Sequence, residues 1–248
     1  MLYKLSMLKI GTLNIDWFKR KNKIGQIIID EINKQDFDFL IVTENIASFK
    51  FNENYFASST AAIPTDKEFQ YLDYGKYLKG EMPLRCTIFS KYKPIQAISV
   101  ADAYTSVSHK YLVENKEIII YASIIGTWGI QHQKEIAQHE LDNVKTDIQN
   151  ILHQNKNVII VGDFNTSFIA NEKRYLPQIN SRVELLDFTE LHNIYRSTEN
   201  IENCIDHIFI SQKLFEASNN FTTTFLDNNI LTDEPHKGIV LNIEYSEN

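Results

Sequence analysis

Asn157-Val158-Ile159-Ile160-Val161-Gly162-Asp163-Phe164-Asn165-Thr166 is the stretch on which the fold turns. Four β-branched residues in a row, bounded by polar ones, read as a strand buried on both faces. Gly162 ends the run, and an acid and an amide follow two residues apart. Side chains at i and i+2 leaving a strand point the same way. Asp163 and Asn165 are therefore expected to converge at a sheet edge while Phe164 turns back into the core. A carboxylate can take a proton from water or hold a metal ion, and an amide can donate to a charged oxygen without adding charge. That pairing suits phosphoryl chemistry, although Gly162-Asp163-Phe164-Asn165 taken alone also reads as a plain turn.

Outward from this stretch the same pattern recurs. Leu8 to Asp16 alternates as a strand and ends in Asn14 and Asp16, again an amide and an acid two apart. Ile24, Ile27, Ile28 and Ile32 form a helix-period stripe, and Phe37 to Glu44 is a second buried strand ending in an acid. The segment from about Ala57 to Pro83, with Tyr71, Tyr74 and Tyr77 among charges, is expected to be a surface excursion beside a cleft. Leu84 to Tyr92 resumes strand character, and Tyr104 to Val113 with Glu117 to Ile125 reads as a hairpin. A helix is expected from about Gln133 to His153, on the stripe Ile136, Val144, Ile148, Ile151 and Leu152, and another over Val183 to Leu191. Asn203 to Ser211 is a strand that contains Asp206. An ionised aspartate is costly to bury alone, and His236, just ahead of the last strand Gly238 to Ile243, is its candidate partner.

Composition bounds the class. A length of 248 residues without a Pro/Gly/Ser-rich linker, repeat or low-complexity run favours a single domain over 1–248. The formal net charge of −7 argues against a broad basic surface that clamps duplex nucleic acid by neutralising phosphates. It does not exclude a nuclease, because a bound metal can carry the positive charge locally. Cys86 and Cys204 lie far apart without ligand spacing and are expected to be buried free thiols. No stretch approaches membrane-spanning length and the first eight residues lack a cleavable apolar signal, so the expected location is cytoplasmic.

Five segments, in order, resemble the endonuclease/exonuclease/phosphatase superfamily of metal-dependent phosphodiesterases, which includes deoxyribonucleases and abasic-site endonucleases. They are Thr12-Leu13-Asn14-Ile15-Asp16, Ile41-Val42-Thr43-Glu44, Gly162-Asp163-Phe164-Asn165, Ile205-Asp206-His207-Ile208 and His236-Lys237-Gly238-Ile239. The residues alone indicate an α/β chain with many strands. The resemblance implies more: a four-layered α/β/β/α sandwich, two mixed sheets packed face to face with helices outside.

The resemblance also implies roles. Asn14 and Glu44 would hold Mg²⁺, with Mn²⁺ as an alternative, and Asp16 would be an accessory acid near it; oxygen donors suit such hard ions. Asp163 would activate the attacking water, and Asn165 would donate to the phosphoryl oxygens. His236 would contact the phosphate, held and kept charged by Asp206. In the family an aspartate directly precedes the last histidine, whereas here Pro235 does, and Asp233 or Glu234 would have to supply that ligand. Many members also place a histidine or tyrosine after the strand Glu117 to Ile125. Here Ser123, Tyr121 or His132 would have to substitute, and losing such a donor costs roughly 2–4 kcal/mol of transition-state stabilisation. The implied function is a Mg²⁺-dependent nuclease acting on DNA. A small-molecule phosphodiesterase or phosphatase, or a catalytically weakened binding protein on the same scaffold, stand as alternatives.

Overall fold

The computed structural model describes residues 5–62, 83–126, 134–226 and 236–246. Within them, twelve strands form two six-stranded mixed sheets. In the first sheet lie β1 (Leu5–Asn14), β2 (Phe39–Ile46), β3 (Phe56–Ser59), β4 (Pro83–Ser90), β11 (Ser218–Leu226) and β12 (Gly238–Ser246), in the order β11-β12-β1-β2-β4-β3. The second contains β5 (Pro94–Ile98), β6 (Ser106–Val113), β7 (Lys116–Ile124), β8 (Val158–Asp163), β9 (Ile194–Arg196) and β10 (Asp206–Ser211), in the order β5-β6-β7-β8-β10-β9. Each sheet has one parallel pair at its centre, β1 with β2 and β7 with β8. Each of those pairs is joined by a crossover helix, α1 (Trp17–Asn33) and α2 (Lys134–Gln154) respectively.

Alternation along the strands builds the layers. Ile10, Ile41, Ile88, Ile120, Val161, Ile208 and Leu241 meet between the sheets in one apolar core. The odd side of β8 faces inward, so Asp163 ends an inward row begun by Ile159 and Val161. The outward rows of the first sheet pack Leu13, Leu40 and Val42 against Trp17, Ile28 and Ile32 of α1. Those of the second pack Ile119, Tyr121 and Ile160 against Leu141, Val144 and Ile148 of α2, with Leu185 and Phe188 of α3 (Ser181–Leu191). The result is the expected α/β/β/α sandwich.

Local differences from the sequence reading have physical reasons. Ile27 belongs to the helical stripe by spacing, yet it is 45% exposed, because α1 buries only the narrower Ile24, Ile28 and Ile32 side. The hairpin of β6 and β7 turns on Glu114 and Asn115 alone, both with positive φ (46° and 65°), a two-residue turn matched to strand twist. Phe56–Ser59 is an edge strand, not part of a surface excursion; Tyr71, Tyr74 and Tyr77 lie outside the described residues. Cys86 and Cys204 are buried free thiols as expected.

Candidate active site

The site forms where five strand ends meet across the two sheets. β8 and β10 are antiparallel neighbours, and their register places Asp206 directly opposite Asp163. Both carboxylates are fully buried. Two such charges side by side require a cation, and His236 supplies it from the residue pair that leads into β12. Its Nδ1 lies 3.2 Å from Asp206 Oδ2 and 3.7 Å from Asp163 Oδ2. The Lys237 backbone N–H also donates to Asp206 Oδ2, at 3.2 Å. From the first sheet, Asn14 at the end of β1 donates through Nδ2 to Asp163 Oδ2 at 3.2 Å, and the same nitrogen lies 3.3 Å from His236 Nε2. Because that amide nitrogen is itself a donor, the Nε2 proton of a charged ring finds no acceptor there and is free for a ligand oxygen.

Burial and neighbours set the proton affinities. Burial pushes the Asp163 carboxyl up, to about 7; Asp206 and Glu44 add to the rise, while His236 and the Asn165 N–H oppose it. Burial alone would lower the His236 ring, but Asp206, Asp163 and Glu44 surround it and raise it to about 10. At neutral pH the imidazolium form is therefore the rule.

Three of these positions depend on left-handed backbone. By alternation Glu44 falls in the outward row with Leu40 and Val42. Its φ of 52° interrupts that row, and its carboxylate comes within 4.8 Å of ligand atoms on both Asp163 and His236. Asn165 (φ 47°) folds back so that its N–H donates to Asp163 Oδ1 at 3.0 Å and its Nδ2 to Ile125 O at 2.7 Å. One amide proton is thus committed to the backbone and one remains. Asp16 does not continue the inward row from Asn14: at φ 38° the chain leaves β1 to start α1, and the Asp16 N–H donates to Asn14 Oδ1 at 3.0 Å. Phe164 turns into the outer core, as its place in the motif suggested.

The donor set suits a hard divalent cation. Among the described residues Glu44, Asp163 and His236 bring ligand-type atoms within 4.8 Å of one another; with the ring charged, the two carboxylates are the members able to hold a cation, and Asp16 is not in the group. Beside them Asp206 Oδ1 is buried without a protein donor, an acceptor still open to an ion's hydration water. Asn14 Oδ1 keeps a second lone pair beyond the one used by Asp16.

No family model matches the sequence, and a search of curated proteins returns no match. Solved structures do match along almost the whole length. The endonuclease domain of TRAS1, a telomere-specific non-LTR retrotransposon, is 13% identical over 96% of this chain and 98% of its own, with a TM-score of 0.63. The 3′-5′ exonuclease NExo from Neisseria meningitidis is 10% identical over 97% and 100%, with a TM-score of 0.64. An endonuclease/exonuclease/phosphatase family protein from Leptotrichia buccalis C-1013-b is 14% identical over 96% and 99%, with a TM-score of 0.57. The chain has the endonuclease/exonuclease/phosphatase fold.

Within this fold, some sequence expectations find other places. Tyr121 and Ser123 face the outer layer, away from Asp163: Ser106 Oγ donates to Ser123 Oγ at 2.9 Å and lies 2.8 Å from the Tyr121 hydroxyl, which donates to Asp147 Oδ2 at 3.2 Å. Neither takes the part of a missing phosphate donor. His207, on the opposite face of β10 from Asp206, sits between Thr198 Oγ1 and Thr166 O, each 2.6 Å away, and burial lowers its ring to about 4. Held neutral there, it pins the turn after Asp163. His132, Asp233, Glu234 and Pro235 lie outside the described residues. Sequence reasoning missed Arg85 and Glu140, a buried ion pair at the same end of the sandwich. A charged residue inside the apolar strand Leu84 to Tyr92 was the available signal.

Proposed function

We propose that this chain is a metal-dependent phosphodiester hydrolase using Mg²⁺ or Mn²⁺, and that its substrate is nucleic acid, with DNA first. The observation that carries this reading is the buried Asp163–Asp206 carboxylate pair bridged by His236, with Glu44 at ligand distance beside it. A neutral scaffold has no use for buried carboxylates that repel each other. That two of the fold's neighbours bear the names endonuclease and exonuclease adds weight to a nucleic-acid substrate.

Glu44, Asp163 and Asn14 would hold the ion, whose chemistry is to polarise the phosphoryl oxygens and offset charge on the leaving oxygen. Asp163 accepts the proton of the attacking water. His236 directs its Nε2 proton to a phosphoryl oxygen, and Asp206 holds the ring through Nδ1. The remaining N–H of Asn165 serves a second phosphoryl oxygen. Asp233 is proposed as a further ligand from the segment that leads to His236. The free, buried Cys86 and Cys204 accord with a reducing, cytoplasmic setting.

The net charge of −7 favours one second reading, a small phosphoester substrate on the same machinery. A panel of plasmid DNA, single-stranded DNA, RNA and a generic chromogenic phosphodiester, each with Mg²⁺ or Mn²⁺ and with EDTA, separates the two. Metal-dependent cleavage of a polymer that weakens steeply with salt and disappears in Asp163→Ala is the expected result. Turnover of the small diester alone selects the second reading. No turnover of any substrate removes both and leaves a binding protein.

A further inference from the structure

The Arg85 side chain belongs to β4 of the first sheet, yet its acceptors lie on the second. The guanidinium donates to Glu140 Oε1 of α2 at 2.5 Å, to Thr105 Oγ1 at 3.2 Å and to Ile124 O at 3.3 Å. The other Glu140 oxygen accepts the Gly126 N–H at 2.8 Å. Both side chains are sealed from solvent, 4% and 5% exposed. Burying such a pair desolvates two charges, and apolar residues of similar volume often serve stability as well or better. Stability alone therefore does not account for it.

Its two ends account for it. On the first sheet, the β2–β4 ladder pairs Thr43 with Cys86 and Asn45 with Leu84, which brackets Glu44 opposite Arg85. On the second, the pair grips Ile124 and Gly126 on either side of Ile125. The Ile125 N–H donates to Asp163 O at 3.0 Å, and Ile125 O accepts Asn165 Nδ2 at 2.7 Å. The strap thus runs from the backbone that carries Glu44 to the backbone that carries Asp163 and Asn165. We propose that Arg85 and Glu140 are positioning residues that hold Glu44 of one sheet at ligand distance from Asp163 of the other. This rests on the metal-dependent reading of the site.

The pair sums to zero charge, so replacing both members removes the mechanical link without changing the protein's net charge. The test is Mn²⁺ binding by isothermal titration calorimetry to the full chain, wild type against Arg85→Met/Glu140→Met, alongside thermal unfolding. The expected result is a folded double variant with near-wild-type Tm and Mn²⁺ affinity weaker by about tenfold or more, the scale seen when groups supporting metal ligands are removed. Wild-type affinity in the folded double variant overturns the proposal. Should that variant not fold, Arg85→Lys carries the test. It keeps the charge, but a single ammonium cannot reach Glu140, Thr105 and Ile124 O together. Reduced affinity with Tm preserved is then expected, and unchanged affinity overturns the strap. A wild-type chain that binds no Mn²⁺ overturns the metal-dependent reading itself, an outcome visible before any substitution is made.

Discussion

Asp163 and Asp206 face each other across adjacent antiparallel strands, both closed to solvent, with the His236 ring nitrogen 3.7 Å from one and 3.2 Å from the other. One imidazolium between two carboxylates leaves the group a net negative charge before Glu44 is counted. The arrangement is poised to take up a further cation, and it stores unfavourable charge in the ion-free protein.

That stored charge makes Asp163→Asn a two-sided variant. Proton abstraction from water is lost, so turnover should fall by about 10²–10⁴-fold. The neutral amide no longer repels Asp206 and Glu44, so the ion-free protein should melt at least as high as wild type at pH 8. Turnover on whichever phosphodiester the wild type cleaves, read beside calorimetric Tm, checks both sides. A large fall in Tm would count against the repulsion.

The pH dependence of ion-free stability follows from His236. Its ring is raised from 6.5 to about 10 in the folded state, so its stabilisation is fully present below pH 6.5 and is lost as pH rises through about 10. Asp163, raised to about 7, acts in the same direction, because its contribution is lost as pH rises toward 7. His207 opposes only below pH 6.5, where its lowered ring favours the unfolded chain. Tm measured in EDTA should therefore decline from pH 6.5 to 10, and Mg²⁺ should soften the decline by replacing protons on Asp163. A Tm that climbs over this range in EDTA contradicts the assignment.

Removing the ring by His236→Ala leaves both carboxylates buried without their cation. Breaking a buried pair in this way costs about 3–5 kcal/mol. Urea unfolding at pH 7 should show most of that loss, and it should shrink as the pH rises toward 10 and the wild-type ring itself loses its charge. A loss independent of pH would point to packing instead of charge.

Gly162 has φ 155°, and a Cβ there would lie 1.8 Å from the Ser123 carbonyl oxygen of the neighbouring strand. Gly162→Ala should destabilise the chain by about 3 kcal/mol or more, since backbone, unlike a flexible side chain, cannot step aside. Denaturant midpoints give the answer directly. A near-neutral alanine would mean that β7 and β8 can part at this point without disturbing Asp163.

Much of the architecture was legible in the chain itself. Val158 to Val161 read as a strand buried on both faces, and the stripes of α1 and α2 marked the crossover helices that parallel pairs require. The edge strands β3, β5, β9 and β11 were not legible. Ser218–Leu226 is largely solvent-facing and rich in threonine and asparagine, so its strand state comes from hydrogen bonds to β12 and not from any apolar alternation of its own.

The site divides in the same way. Residue types and strand ends singled out Asn14, Glu44, Asp163, Asn165, Asp206 and His236, because an acid or amide that terminates an apolar run is visible locally. What alternation could not decide was direction. Strict alternation would set Asp16 beside Asn14 and Glu44 on the outer face, and left-handed backbone at both positions departs from it. Nor could local sequence pair Arg85 with Glu140, 55 residues apart, or set Asp206 against Asp163. The sequence by itself determined which groups reach the sheet edges, since burial of apolar faces fixes strand registers and ends. Only the tertiary structure decided which of those groups share one spot, because the packing of two sheets brings together residues whose separation along the chain carries no signal.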